Sequence, residues 1–257
     1  MYEGYFAVAL ASANKRVKFG VLLVLAALSA ADGQGQSLGF VPASSRTRPT
    51  VSVRELQIPV KAKSNFQHGL ERLAKHDPEG SKKFFAAAIA EAPDFYEAYY
   101  HRGIAEAQLD QNEAALRSFQ AAIDLSDGHE PRAEFGYAMV LSRVGSASEA
   151  ERIVRHGLMA GANIPDGHVV LGLILLKLNR VDEAEKSAQK ALLLRQPSSA
   201  KGHLILADVR AARGDFAGQA QELEAYLKRN PEDRNRKTLE TARDAARKLA
   251  AAQHQGQ

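Results

Sequence analysis

Two of the chain's eight histidines, His168 and His203, stand at equivalent places in neighbouring segments. A pair of imidazoles on adjacent elements is the beginning of a metal site, but zinc and its neighbours need three or four donors. The sequence has no cysteine, and no carboxylate falls at a spacing that completes the set. The pair therefore reads as packing, and neither a metal nor a cofactor is expected. Neighbouring acids, Asp182 with Glu183 and Glu149 with Glu151, have the residue types of a general acid and base. They fall on helix surfaces where solvated charge is the ordinary finding. There is no glycine-rich phosphate loop ahead of a strand, no Gly-x-Ser-x-Gly and no His-Glu-x-x-His. Gly33-Gln34-Gly35 has the composition of a linker. No catalytic residue is assigned, and the chain is expected not to be an enzyme.

The elements that would position any site come from a repeat. Gly69, Ser81, Phe85 and Ala88 return as Gly103, Ala115, Phe119 and Ala122, each shifted by 34 residues, and Ala115 returns again as Ala150 and Ala184. Self-similarity at this period marks stacked helical hairpins. Five are expected, at Lys61–Pro93, Asp94–Ser126, Glu130–Gly161, Ile164–Gln196 and Ser199–Asn230. Pro93-Asp94, Asp127-Gly128 with Pro131, Ile164-Pro165-Asp166, Pro197-Ser198-Ser199 and Asn230-Pro231 separate them. The tight inner turns fall at Lys75-His76-Asp77, Asp110-Gln111-Asn112, Gly145-Ser146, Asn179-Arg180 and Gly214-Asp215. Helices of 12 to 16 residues are marginal alone, so packing must hold them. Gly69, Gly103 and Gly172 let the two helices of a hairpin approach closely, and Ala115, Ala150 and Ala184 do the same from the other side. Phe85, Phe119 and Val154 plug the junction with the next hairpin.

This pattern resembles the tetratricopeptide-repeat family over about residues 61–231, most clearly at Tyr96–Asp127 and Pro165–Pro197. The chain departs from the family in having Tyr99, His168 and His203 where a tryptophan commonly starts a unit, Arg72 where a large apolar residue is usual, and Gln219 where a small one is usual. The resemblance implies an all-α fold, a right-handed superhelical solenoid of about five hairpins plus a C-terminal capping helix. It also implies a concave wall built from the first helix of each hairpin, where a protein or peptide partner docks. The wall positions are Tyr100, Ile104 and Ala107; Arg132, Phe135, Met139 and Arg143; Val169, Leu173, Leu176 and Lys177; and Lys201, Leu204 and Asp208. If this apolar stripe is exposed it marks a binding surface; the other reading is that the chain itself covers it. Arg132, Arg143, Lys177 and Lys201 could clamp a carboxylate, although such clamps use paired asparagines and Asn112, Asn163 and Asn179 all fall in turns.

Charge and the chain ends bound the setting. Residues 1–60 carry six Lys/Arg against three acids, 228–257 carry eight against four, and the repeat body between them is net −3, so the overall +4 is built at the ends. A mixed body argues against a nucleic-acid channel, which needs Lys/Arg tracking along one face. Lys15, Arg16 and Lys18 precede an apolar run, Phe19–Ala31, that closes on Ser29, Ala30 and Ala31, the order of an export signal. The run is short of the roughly 20 residues that span a bilayer, so cleavage near Ala30 or Ala31 is expected, with an uncleaved anchor as the alternative. Met1–Asn14 sits ahead of that signal, and Val17 reads as the start if a non-standard codon encodes it. Residues 32–60 are expected to be a flexible linker whose Val51–Pro59 stretch lies extended against the first hairpin. From Glu232 a last helix is expected to cap the array, burying Leu239, Ala242, Ala246, Leu249 and Ala250 and leaving Arg243, Arg247 and Lys248 wet, with weak contact to anionic lipid as the other reading of its charge. The expected role is an exported, periplasmic or secreted bacterial scaffold. The alternative is a structural subunit of a cell-envelope assembly packing through lateral helix faces.

Overall fold

A computed structural model of the chain describes residues 57–255. The expected signal at 1–31, its cleavage at Ala30 or Ala31, and the linker up to residue 56 lie outside the described residues. Eleven α-helices follow one another: α1 Val60–Ala74, α2 Pro78–Glu91, α3 Tyr96–Gln108, α4 Asn112–Ser126, α5 Pro131–Arg143, α6 Ala147–Ala160, α7 Pro165–Lys177, α8 Val181–Leu193, α9 Gly202–Ala212, α10 Phe216–Arg229 and α11 Arg236–Gln255. There is no strand among the described residues. They divide into two compact units, 57–140 and 141–255. In the first, α1 packs on α2, α2 on α3 and α3 on α4; in the second, each helix from α6 to α11 packs mainly on those beside it.

The turns explain why hairpins form. Each of the five inner turns holds one residue in the left-handed region: His76, Asp110, Gly145, Asn179 and Gly214. Each is followed by a backbone bond closing back over the last helical turn, Asp77 to Arg72, Gln111 to Glu106, Ser146 to Leu141, Arg180 to Leu175 and Asp215 to Arg210. This is the Schellman closure, which satisfies carbonyls that a helix end leaves open. Second helices then start cleanly, Asp77 and Asp215 each accepting from the backbone N–H three residues on, at 2.8 Å.

Small residues and aromatic plugs interlock as the repeat requires. A methyl group on Gly69 would fall 2.4 Å from the Phe85 ring, and one on Gly103 would fall 2.9 Å from Phe119. Phe119 also faces Gly136 of α5, where a methyl group would come within 2.6 Å of the same ring. Phe119 therefore seals its own hairpin and the start of the next. Gly172 behaves differently from the expectation. Its tightest neighbour is Ile205 of α9, at 2.9 Å from an added methyl group, while the Ala184 carbonyl of its own hairpin is 3.5 Å away. The small residue there admits the next first helix most tightly, with its own partner helix also in contact.

Two ends differ from the sequence-based expectation. The fifth hairpin starts with a 3-10 turn, Pro197–Lys201, because Gln196 and Ser199 bond each other's backbone N–H groups and Arg195 takes a left-handed conformation. In α11 the buried stripe is narrower than expected, with Leu239 and Ala246 buried but Leu249 about half exposed. Arg243 and Arg247 do not point away from the array; both bond Glu224 of α10, at 2.9 and 3.3 Å. At the other end, Ile58 packs on the cluster of Ala62, Ala88, Ala92, Phe95 and Ala98.

Candidate functional site

First helices carry the positions expected to form a binding wall, and the two units treat them differently. In the unit 57–140, Tyr100 and Ile104 are half-buried on α3, packing from one side against the cluster of Ala107, Ala115, Phe119 and Val140. On α5, Met139 is half-buried, Arg132 is exposed and Phe135 is buried at 3% exposure. This surface offers apolar side chains that are anchored yet still reach solvent. Behind them His101 lies among rings, stacked on Phe85 at 5.7 Å and edge-on to Tyr100 at 4.9 Å. Burial, with help from the Arg132 charge, pushes its pKa down to about 4, so the ring is neutral at physiological pH.

In the unit 141–255 the expected apolar anchors are interior. Val169 and Leu173 are fully buried, Leu176 is 4% exposed and Leu204 is 2% exposed. The reason is visible in α7, where Gly167 and every residue from Val169 to Leu176 are buried. A helix apolar all round belongs inside a core and has no wet face to present. These four side chains are core residues in this structure. The cations that flank them are half-buried and engaged. Lys201 pairs with Asp166 at 3.1 Å, and the Lys177 ammonium donates to the Ser142 carbonyl at 2.9 Å. Burial and the nearby Arg143 charge lower the Lys177 pKa. These bonds tie neighbouring first helices of this unit together. In the other unit Arg132 stands beside Glu130 at 3.7 Å.

His203 bonds Glu222 at 2.7 Å, and His168 bonds the Ala162 carbonyl at 2.9 Å. No group of three or more metal-binding side chains occurs among the described residues. The acids expected to be solvated are in part ion-paired. Arg180 holds Glu151 and Glu183, each at 2.6 Å, across the second helices α6 and α8, and Arg213 holds Asp182 at 2.6 Å.

Two features lie beyond what the sequence reading finds. Asp208 belongs to the wall by its place in the repeat, but it is buried at 6% exposure with one carboxylate oxygen lacking a partner, and desolvation raises its pKa well above the usual range. An acid inside the run Leu204–Val209 is the available signal. A groove of about 420 Å³ is lined by α6, α7 and α8 in the unit 141–255. Nothing in the repeat period marks it, because its lining comes from variable positions.

The comparisons with known proteins agree with this architecture. A family model described as tetratricopeptide repeat matches residues 66–151 and 169–234, more than half of the chain. The chain belongs to the tetratricopeptide-repeat family. Members of this family are in general non-catalytic protein-binding scaffolds. Among solved structures it is similar to TTC0263, a thermophilic tetratricopeptide-repeat protein of Thermus thermophilus, with 18% identity, a TM-score of 0.64, and coverage of 72% of this chain and 98% of that one. It is similar also to PilW, a type IV pilus biogenesis factor, with 15% identity, a TM-score of 0.59 and coverage of 76% and 92%. A third similar structure is MamA from Desulfovibrio magneticus RS-1, with 20% identity, a TM-score of 0.52 and coverage of 69% and 99%. At these identities the likeness establishes the shared fold. No curated protein matches the chain.

Proposed function

We propose that this tetratricopeptide-repeat protein is an exported, non-catalytic scaffold that holds a protein or peptide partner on the first helices of its hairpins. The observation that carries this reading is the half-open apolar surface of Tyr100, Ile104 and Met139 beside the exposed Arg132. Side chains fixed by the core on one side and open on the other can bury apolar area on a partner at little ordering cost. Arg132 would orient the partner through acidic groups. The basic, apolar and small order of residues 15–31 supports export to the periplasm or beyond, with contact to the membrane only through that signal.

Ile104→Glu places a charge where the partner's apolar side chain would sit, and should remove partner capture from an envelope extract while the far-ultraviolet circular dichroism is unchanged. Equal capture by wild type and Ile104→Glu contradicts this assignment. A second reading, a structural subunit packing laterally, is favoured by Leu125, Met159 and Leu193, which are exposed on the second helices α4, α6 and α8. Crosslinked ladders of the chain with itself, in place of one foreign band, would support it.

A further inference from the structure

The groove of the unit 141–255 lies on the opposite kind of surface, formed largely by second helices, and three of its features point to one class of occupant. Leu158 and Met159, the latter with 83% of its surface exposed, supply its accessible apolar surface, over a floor of buried Leu171 and Leu175. A large apolar side chain left this open beside a concave apolar lining is characteristic of a docking surface. Lys186 and Lys190 line the same groove, one helical turn apart on α8, and both are exposed. Neither makes an ion pair among the described residues, and the nearby Glu183 is already held by Arg180 and Arg155. Glu183 lines the groove too, but beside Arg155, Lys186 and Lys190 it leaves the lining with an excess of positive charge next to apolar surface. His168 adds a directional group, since it lines the groove with a buried ring nitrogen, Nδ1, that has no hydrogen-bond partner.

We propose that this groove is a second binding site, taking an acidic peptide segment of a partner protein that sets a large apolar side chain against Leu158 and Met159 and its carboxylates against Lys186 and Lys190. A buried nitrogen without a partner is unfavourable until something supplies one; with Nε2 donating to the Ala162 carbonyl, Nδ1 is an acceptor, and a backbone N–H of a peptide in the groove would supply its donor. Charge pairing across such a rim chiefly sets orientation and encounter rate, while the apolar contact supplies retention. The groove shares no residue with the first-helix surface around Tyr100.

The test uses the full chain and three fluorescein-labelled twelve-residue peptides, one combining Glu and Leu at helical spacing, one with Lys for Glu, and one with Ala for Leu, read by fluorescence anisotropy. The Glu/Leu peptide should bind at least tenfold more tightly than either counterpart. Lys186→Glu with Lys190→Glu, and separately Met159→Glu, should each weaken it at least tenfold, while Lys83→Glu on α2 leaves it unchanged. All the altered positions are solvent-exposed, and circular dichroism checks that each variant is folded. Absence of binding, equal binding of the Ala-for-Leu peptide, or binding indifferent to the two lysines would overturn the proposal. Concentration-dependent dimerisation that the lysine substitutions abolish, with no peptide bound, would assign the groove to a second copy and overturn it equally.

Discussion

Asp208, which is buried, and His101, half-buried among rings, affect stability in opposite directions with pH. Desolvation raises the Asp208 pKa in the folded state, so the native protein keeps a proton that the unfolded chain releases near pH 3.9. Stability contributed at this position is full below that value and falls as pH rises toward the folded pKa. Asp208→Asn should flatten that decline, because an amide at this position does not titrate. Urea unfolding of both proteins between pH 4 and 8 checks it. For His101 the folded pKa is lowered to about 4. Its contribution is full above the unfolded value near 6.5 and is lost as pH falls from there to about 4, by on the order of 3 kcal/mol. His101→Phe, which keeps a ring against Phe85, should flatten that acid limb in the same titration. Neither effect follows from residue type alone. His101 and Asp208 become unusual only through what surrounds them, and a single sequence does not give the depth of a side chain.

At the scale of elements, the interlock of Phe119 with Gly103 and Gly136 is the feature most open to measurement. Phe119→Ala should lower stability by about 3–5 kcal/mol through the cavity it leaves. Gly136→Ala forces a methyl group to 2.6 Å from the ring and should lower it by about 1–3 kcal/mol through overpacking. Combined, the two should be less damaging than their sum, because the clash vanishes with the ring. Strict additivity in thermal or denaturant unfolding would show that the two residues do not meet. Helices, turns and the Phe119 plug are legible in the sequence because they rest on local rules: a residue able to adopt the left-handed conformation at each inner turn, and small and large residues alternating at a fixed period. Gly172 marks the limit of the same evidence. Periodicity says that a small residue is needed, but not which neighbour requires the space, and here it is Ile205 of the following first helix. The capping stripe fails similarly, since Arg243 folds onto Glu224 with little exposure, whereas Arg247 bonds the same carboxylate while staying exposed.

Taken as a whole molecule, the repeat array supplies surfaces, and the sequence does not say which of them are open. Leu173 shows why. Its place in the unit puts it on the expected wall, yet α7 is apolar on every side and Leu173 is fully buried. Leu173→Glu should therefore destabilise the unit 141–255 itself, visible as loss of helicity and a lowered unfolding midpoint, rather than produce a folded protein defective in binding. Tyr100, Ile104 and Met139 remain half-open in the other unit and carry the proposed contact. Placing a photo-crosslinking residue in turn at Tyr100, Met139 and the exposed second-helix position Gln120, in cells, tests that claim most directly. The account predicts one foreign protein attached at Tyr100 and Met139 and none at Gln120. A foreign protein attached only at Gln120, or self-crosslinks at all three positions, would contradict it.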